Sequence, residues 1–142
     1  MFVGEYVRSV DGAGRLALPA GLRAGFDGRC YMTCHPDGNI TLSTVESFEA
    51  AANRLMEEIR SGEKAESALR AFGANTQFLS IDKQGRINFD DDTLRHAGLT
   101  DEAVIVGVVT TVEIWRPSRY RIVSSEHDQI KPPRQWDDED DS

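Results

Sequence analysis

The strongest constraint on the fold of this chain is an internal repeat. SVDGAGRLALP at residues 9–19 returns as SIDKQGRINFD at residues 80–90. Aligned on Asp11 and Asp82, the copies match Ser9 with Ser80, Val10 with Ile81, Gly14 with Gly85, Arg15 with Arg86 and Leu16 with Ile87. One residue inserted in the second copy brings Leu22-Arg23 onto Leu94-Arg95, and the same shift lays Ile40-Thr-Leu42 on Val112-Glu-Ile114. A single gap that keeps separate blocks in register marks a duplication rather than chance. Each unit is too small to close a core alone, so the two should pack together about a pseudo-two-fold axis.

Each copy reads locally as strand, tight turn, strand. Residues 6–10 and 76–81 are short runs rich in β-branched and aromatic side chains. Residues 11–14 and 82–85 have hairpin-turn character, with Gly14 and Gly85 free to take positive φ. Residues 16–18 and 87–89 alternate as half-buried strands do, and Pro19 closes the first. Short helical turns near 21–24 and 93–97 follow, then strands at 30–33, 40–42, 104–109 and 112–115. Between the copies, STVE at 43–46 has capping-box form, and Phe48, Ala52, Leu55, Met56 and Ile59 recur at helical spacing. A second helix is expected from Glu63, with Ala65, Leu69 and Phe72 on one side, and another from about residue 117 ending at Ser124-Ser125. The remainder is polar and acidic, with the composition of a disordered tail.

Composition narrows the function. No apolar run reaches the roughly 18 residues of a membrane span, and the N-terminus lacks a signal-type pattern, so a cytoplasmic protein is expected. Cys30 and Cys34 sit near His35, but no second ligand pair completes a zinc set, and in a strand both thiols share one face as small apolar groups. No metal, cofactor or small-molecule substrate is expected. Enzyme chemistry lacks support, for there is no phosphate-loop glycine pattern and no nucleophile beside a histidine. The net charge of −8 argues against a polyanionic partner, yet WDDEDDS at the end holds much of it, and residues 1–36 carry four arginines against three acids.

What would a pair of D-x-x-G-R turns be for? An Asp can accept from the N–H groups of its own turn and pair with the Arg four positions on, which makes a hairpin staple repeated by duplication. Alternatively, Asp11 and Asp82 hold Arg15 and Arg86 as two pre-set guanidinium forks on one face, suited to phosphates or guanine edges of DNA.

A resemblance bears on that choice. The opening MFVGEYVRSVDGAGRLALPAGLR, the second motif SIDKQGRINFDDDTLRHAGL and the later VIVGVVTTVEIW resemble, in that order, the motifs of the MraZ family. The resemblance spans residues 1 to about 122, with the helical insert in its expected place. It implies an α+β, mainly β fold: two AbrB-like swapped-hairpin units forming a pseudo-two-fold barrel, with helices after each. The implied division is residues 1–48 and 75–122 as the two units, 49–74 as connecting helices, and 123–142 as a disordered acidic tail. It further implies a ring-shaped homo-oligomer, cytoplasmic and nucleoid-associated. Such a ring would bind short direct repeats in promoter DNA of the division and cell-wall cluster and repress it. The DNA-facing elements carry over onto Asp11 and Arg15 and onto Asp82 and Arg86, with Gly14 and Gly85 as turn supports and Arg8 and Lys83 as flanking phosphate contacts.

Two departures stand out. Ala13 replaces the family's usual Lys, and Asn88-Phe89-Asp90-Asp91-Asp92, with its three acids, replaces the usual apolar-Pro strand ending. Acids facing a phosphate backbone would oppose it, so the first copy is expected to dominate contact, or binding to be weaker and more salt-sensitive. An oligomeric interaction protein with a degenerate DNA face is the alternative. The tail raises a further possibility, a DNA mimic that competes for Arg15 and Arg86. Trp115 is expected in the core or at a subunit interface, whereas Trp136 lies in the tail.

Overall fold

A computed structural model describes residues 1–125 of the chain. In the first copy, β1 (Glu5–Ser9) and β2 (Arg15–Ala17) flank the first D-x-x-G-R turn, and Pro19 precedes the short helix α1 (Ala20–Arg23). The hairpin β3 (Arg29–Cys34) and β4 (Ile40–Ser43) follows. The second copy repeats this order as β5 (Thr76–Ser80), β6 (Arg86–Asn88), α4 (Asp91–Ala97), β7 (Glu102–Gly107) and β8 (Val112–Trp115). Helices α2 (Val45–Arg60) and α3 (Ser67–Ala74) join the copies, and α5 (Pro117–Ser125) ends the described chain.

The copies interleave. A six-stranded antiparallel sheet runs β1-β7-β8-β4-β3-β5, so the first strand of each copy pairs with the third strand of the other. The two second strands pair as a separate ribbon, β2-β6. The pseudo-two-fold relation is visible in the register: Leu16 faces its own counterpart Ile87, and Thr41 faces its counterpart Glu113. In β3 and β7 the copies are shifted by one residue more than in the flanking blocks, since Ser80 pairs with Arg29 while Ser9 pairs with Glu102. The single-gap alignment therefore conceals two compensating changes: one extra residue before β7 and one fewer in its hairpin. Loops absorb both at little cost, because alternation within each strand is preserved.

Alternation builds the core. Leu16 and Ile87, both 0% exposed, turn the ribbon's inner face onto Cys30, Met32, Ile40, Leu42, Ile105 and Ile114 of the sheet. Burial on this scale is the main stabilising term, worth about 1.5–3 kcal/mol for each large side chain. The opposite face of the sheet carries two smaller packings. On one flank Tyr31, Phe48 and Phe72 stack, with centroids 4.0 and 5.0 Å apart, beneath α2 and α3. On the other, buried Val104 and Trp115 pack with Val7, Tyr120 and Val123 under α5. Trp115 thus lies in the interior of the chain itself, and its Nε1–H donates to Glu113 at 2.8 Å.

Two local expectations need correction. The helix α2 is capped by Thr44, whose hydroxyl accepts the Ser47 N–H at 3.0 Å, because Ser43 is drawn into β4 opposite Tyr31. The helix expected from Glu63 begins only at Ser67. The acidic tail, its proposed mimicry and Trp136 lie outside the described residues.

Candidate nucleic-acid interface

The two D-x-x-G-R turns are built alike. Asp11 Oδ1 accepts from the N–H of Ala13 (3.0 Å) and of Arg15 (2.8 Å), while Oδ2 accepts from Arg15 Nε at 2.8 Å. Asp82 repeats this with the N–H of Gln84 (2.9 Å) and Arg86 (2.8 Å) and with Arg86 Nε (2.9 Å). Main-chain bonds close each turn from Gly14 N–H to Asp11 O and from Gly85 N–H to Asp82 O. Gly14 and Gly85 sit at φ +81° and +80°, a conformation that side chains with a Cβ resist. Both carboxyls are held below their usual range, chiefly by the backbone N–H of the following Arg, with its guanidinium adding to this and desolvation acting the other way.

Staple and presented cation are one geometry. Each Asp takes Nε, and among the described residues the two terminal nitrogens of Arg15 and Arg86 make no hydrogen bond, which leaves them able to meet a bidentate partner. In the ribbon, Arg15 lies opposite Asn88 and Arg86 opposite Ala17, while Leu16 and Ile87 point inward. The two arginines therefore share the outward face as diagonal neighbours, with Cα atoms roughly 7–8 Å apart.

The flanking candidates are placed differently. Lys83 is exposed at the tip of the second turn, beside Arg86. Arg8 lies on edge strand β1, its Nη1 donating to the Val7 carbonyl and its guanidinium 5.4 Å from the Tyr6 ring centroid. Arg23, not among the sequence candidates, lies over Gly85 and donates from Nη2 to the Lys83 carbonyl at 2.8 Å. Only the crossing of the two copies brings it there, so no local signal could have found it.

The acid run is exposed but has local structural roles. Asp90 caps α4, accepting the Thr93 N–H at 2.8 Å and the Gln77 amide at 3.2 Å. Asp91 and Asp92 occupy the first turn of α4, where the helix dipole favours acids, and Asp92 pairs with Arg95. Cys30 is buried with its thiol pushed up to about 12 by desolvation, and Cys34 packs against the same core. Among the described residues no cluster of His, Cys, Asp or Glu could hold a metal, and no helix is long and apolar enough to cross a membrane.

Interleaved copies with a carboxylate-locked guanidinium at each end of one ribbon define a swapped-hairpin protein of the AbrB-like class, offering fixed cations on a rigid face. Comparison with known proteins makes this specific. Proteins from Mycobacterium ulcerans and Nocardia farcinica, each named "Transcriptional regulator MraZ", are 34% identical to this chain over 129 residues, covering 91% of it and 90% of each relative. A third of the same name, from Thermomicrobium roseum, is 34% identical over 120 residues and 84% of both chains. The family profile described as "MraZ protein, putative antitoxin-like" matches residues 72–138. The chain belongs to the MraZ family.

Proposed function

We propose that this chain is a DNA-binding transcription regulator whose contact surface is the outward face of the β2–β6 ribbon. One observation carries the reading: Arg15 and Arg86 stand on the same face of that ribbon, each fixed by its own Asp through Nε, with its terminal nitrogens making no hydrogen bond among the described residues. A two-stranded ribbon fits the major groove, and guanidinium forks match guanine edges and phosphates. The relatives' printed name agrees with regulation of transcription. On the family resemblance, the proposal extends to short direct repeats in the promoter of the division and cell-wall cluster, to autorepression, to a ring of identical chains, and to a cytoplasmic, nucleoid-associated site of action. In a ring, several modest ribbons on one DNA combine through effective concentration, which offsets the unfavourable net charge of −8. Lys83 and Arg8 are assigned to phosphate.

The test is an electrophoretic shift of the gene's own upstream DNA at low salt. Wild type should shift it, and Arg15→Ala and Arg86→Ala should each weaken binding at least about tenfold, the lower value of one charge-assisted bond, ~1.5 kcal/mol. Absence of any shift from an intact oligomer would instead establish the second reading, an oligomeric interaction protein with a decayed DNA face. Ala13 in place of a Lys is the observation that favours it.

A further inference from the structure

The outward face of the ribbon is not symmetric, although the fold that holds it nearly is. It has four positions: Arg15 opposite Asn88, and Arg86 opposite Ala17. Main-chain bonds join Phe89 N–H to Gly14 O and Leu18 N–H to Gly85 O. By the alternation of an antiparallel ladder, Arg15/Asn88 and Ala17/Arg86 are therefore non-hydrogen-bonded pairs, whose side chains stand closest, with Cα atoms about 4.5 Å apart. Asn88 is exposed, and its side chain makes no hydrogen bond within the described residues. Its Oδ1 lies over the first turn, where a Cβ on Gly14 would come within 3.7 Å of it. The first turn carries only Gly12 and Ala13 at its tip, whereas the second carries Lys83 and Gln84, with Arg23 bonded to its backbone.

We infer that Asn88 is a sequence-reading residue, paired with Arg15 at one end of the ribbon, and that the Lys83–Arg86 end serves mainly as a phosphate anchor. The inference rests on the DNA-binding reading above. A neutral amide brings no charge to a phosphate, but its donor and acceptor match N7 and N6 of adenine, as a guanidinium fork matches O6 and N7 of guanine. Side by side, with Cα atoms about 4.5 Å apart, Arg15 and Asn88 can present those two patterns to neighbouring base pairs, which rise about 3.4 Å per step. The other pair, Ala17 with Arg86, has a methyl group where the first has the amide, and it supplies no polar readout. The ribbon therefore has a direction, and each operator repeat should contain a G-A or A-G step under its first half.

The test is selection of the full chain, wild type and variants, on a duplex pool with a randomised core, with affinity for the selected and scrambled sequences measured across a salt series. Asn88→Ala should reduce discrimination at one adenine position about tenfold while leaving the slope of log affinity against log salt unchanged. Lys83→Ala should weaken all sequences alike and lower that slope by about one. Ala17→Asn should create a new adenine preference displaced toward the Arg86 end. If Asn88→Ala alters no base preference, or acts uniformly as Lys83→Ala does, the assignment is overturned while DNA binding stands. If wild type enriches nothing at low salt, the DNA-binding reading itself falls and takes this inference with it. Circular dichroism of the variants separates either result from misfolding, since Asn88 and Ala17 are exposed.

Discussion

Asp11 and Asp82 act on the backbone before they act on a guanidinium, because in each turn one oxygen gathers two N–H groups and the other fixes the arginine. A carboxyl so held titrates below its ordinary value of 3.8, so its contribution is fully present above that pH and is lost as pH falls through the lower folded-state value. A carbon NMR titration should place both midpoints below 3.8; a midpoint at or above it for either residue contradicts the turn geometry. The glycines of the two turns give a contrasting prediction. A Cβ on Gly14 would lie 2.7 Å from the Phe89 carbonyl oxygen, which is fixed main chain, whereas one on Gly85 meets Arg23 Cδ at 2.8 Å, which can move. Both substitutions cost about 1–2 kcal/mol for positive φ. Gly14→Ala should cost more than Gly85→Ala in thermal unfolding, and the reverse order would refute the account. At this scale the Asp–Arg pairing was legible from spacing alone. The placement of Asn88 was not, since its neighbour Arg15 sits across a strand pairing that no local pattern specifies.

Strand and helix identities follow from period and turn chemistry, and the misplacements come from competition at boundaries. Ser43 has the right residue three positions before Glu46 for a capping box, but the ladder with Tyr31 claims it, and Thr44 takes the cap. The run Asp90-Asp91-Asp92, suspected of opposing DNA, is the N-terminus of α4, which starts at Asp91 because Asp90 caps it. These two accounts of the acids separate cleanly. Asp90→Ala should destabilise the fold by about 1 kcal/mol, the usual value of an N-cap, in chemical denaturation. It should leave affinity for operator DNA within about twofold, since a loss that size in RT ln terms is below 0.5 kcal/mol. A clear rise in affinity would mean that the carboxylate faces the phosphates after all. The apolar ribbon face is less tolerant. Ile87→Ala removes a fully buried side chain at the pseudo-two-fold axis and should cost about 2–5 kcal/mol.

At the scale of the molecule, duplication was readable in the sequence, and mutual packing followed from the size of each unit. The exchange of strands did not follow, because local hydrophobic alternation is identical whether a strand pairs within its own copy or across to the other. The family resemblance implied the exchange, and the β1–β7 and β5–β3 pairings display it. Its consequence is that neither copy can complete a sheet alone. A fragment of residues 1–74 loses the partners of β1 and β2 and of one side each of β3 and β4, and exposes Leu16 where Ile87 covered it. The unpaired edges and bared apolar face should leave it unfolded at low concentration or drive it to pair with a second copy of itself, whose strands can substitute for the missing ones. Residues 75–142 should behave likewise, and mixing the two fragments should restore cooperative unfolding and, with it, any DNA binding the intact chain shows. Sedimentation with thermal unfolding decides the matter. A fragment that is both monomeric and cooperatively folded would mean that the copies are autonomous domains and that the crossed strands are incidental. Concentration-dependent folding would tie the two arginines to a shared core, whose β2–β6 pairing holds both on one ribbon.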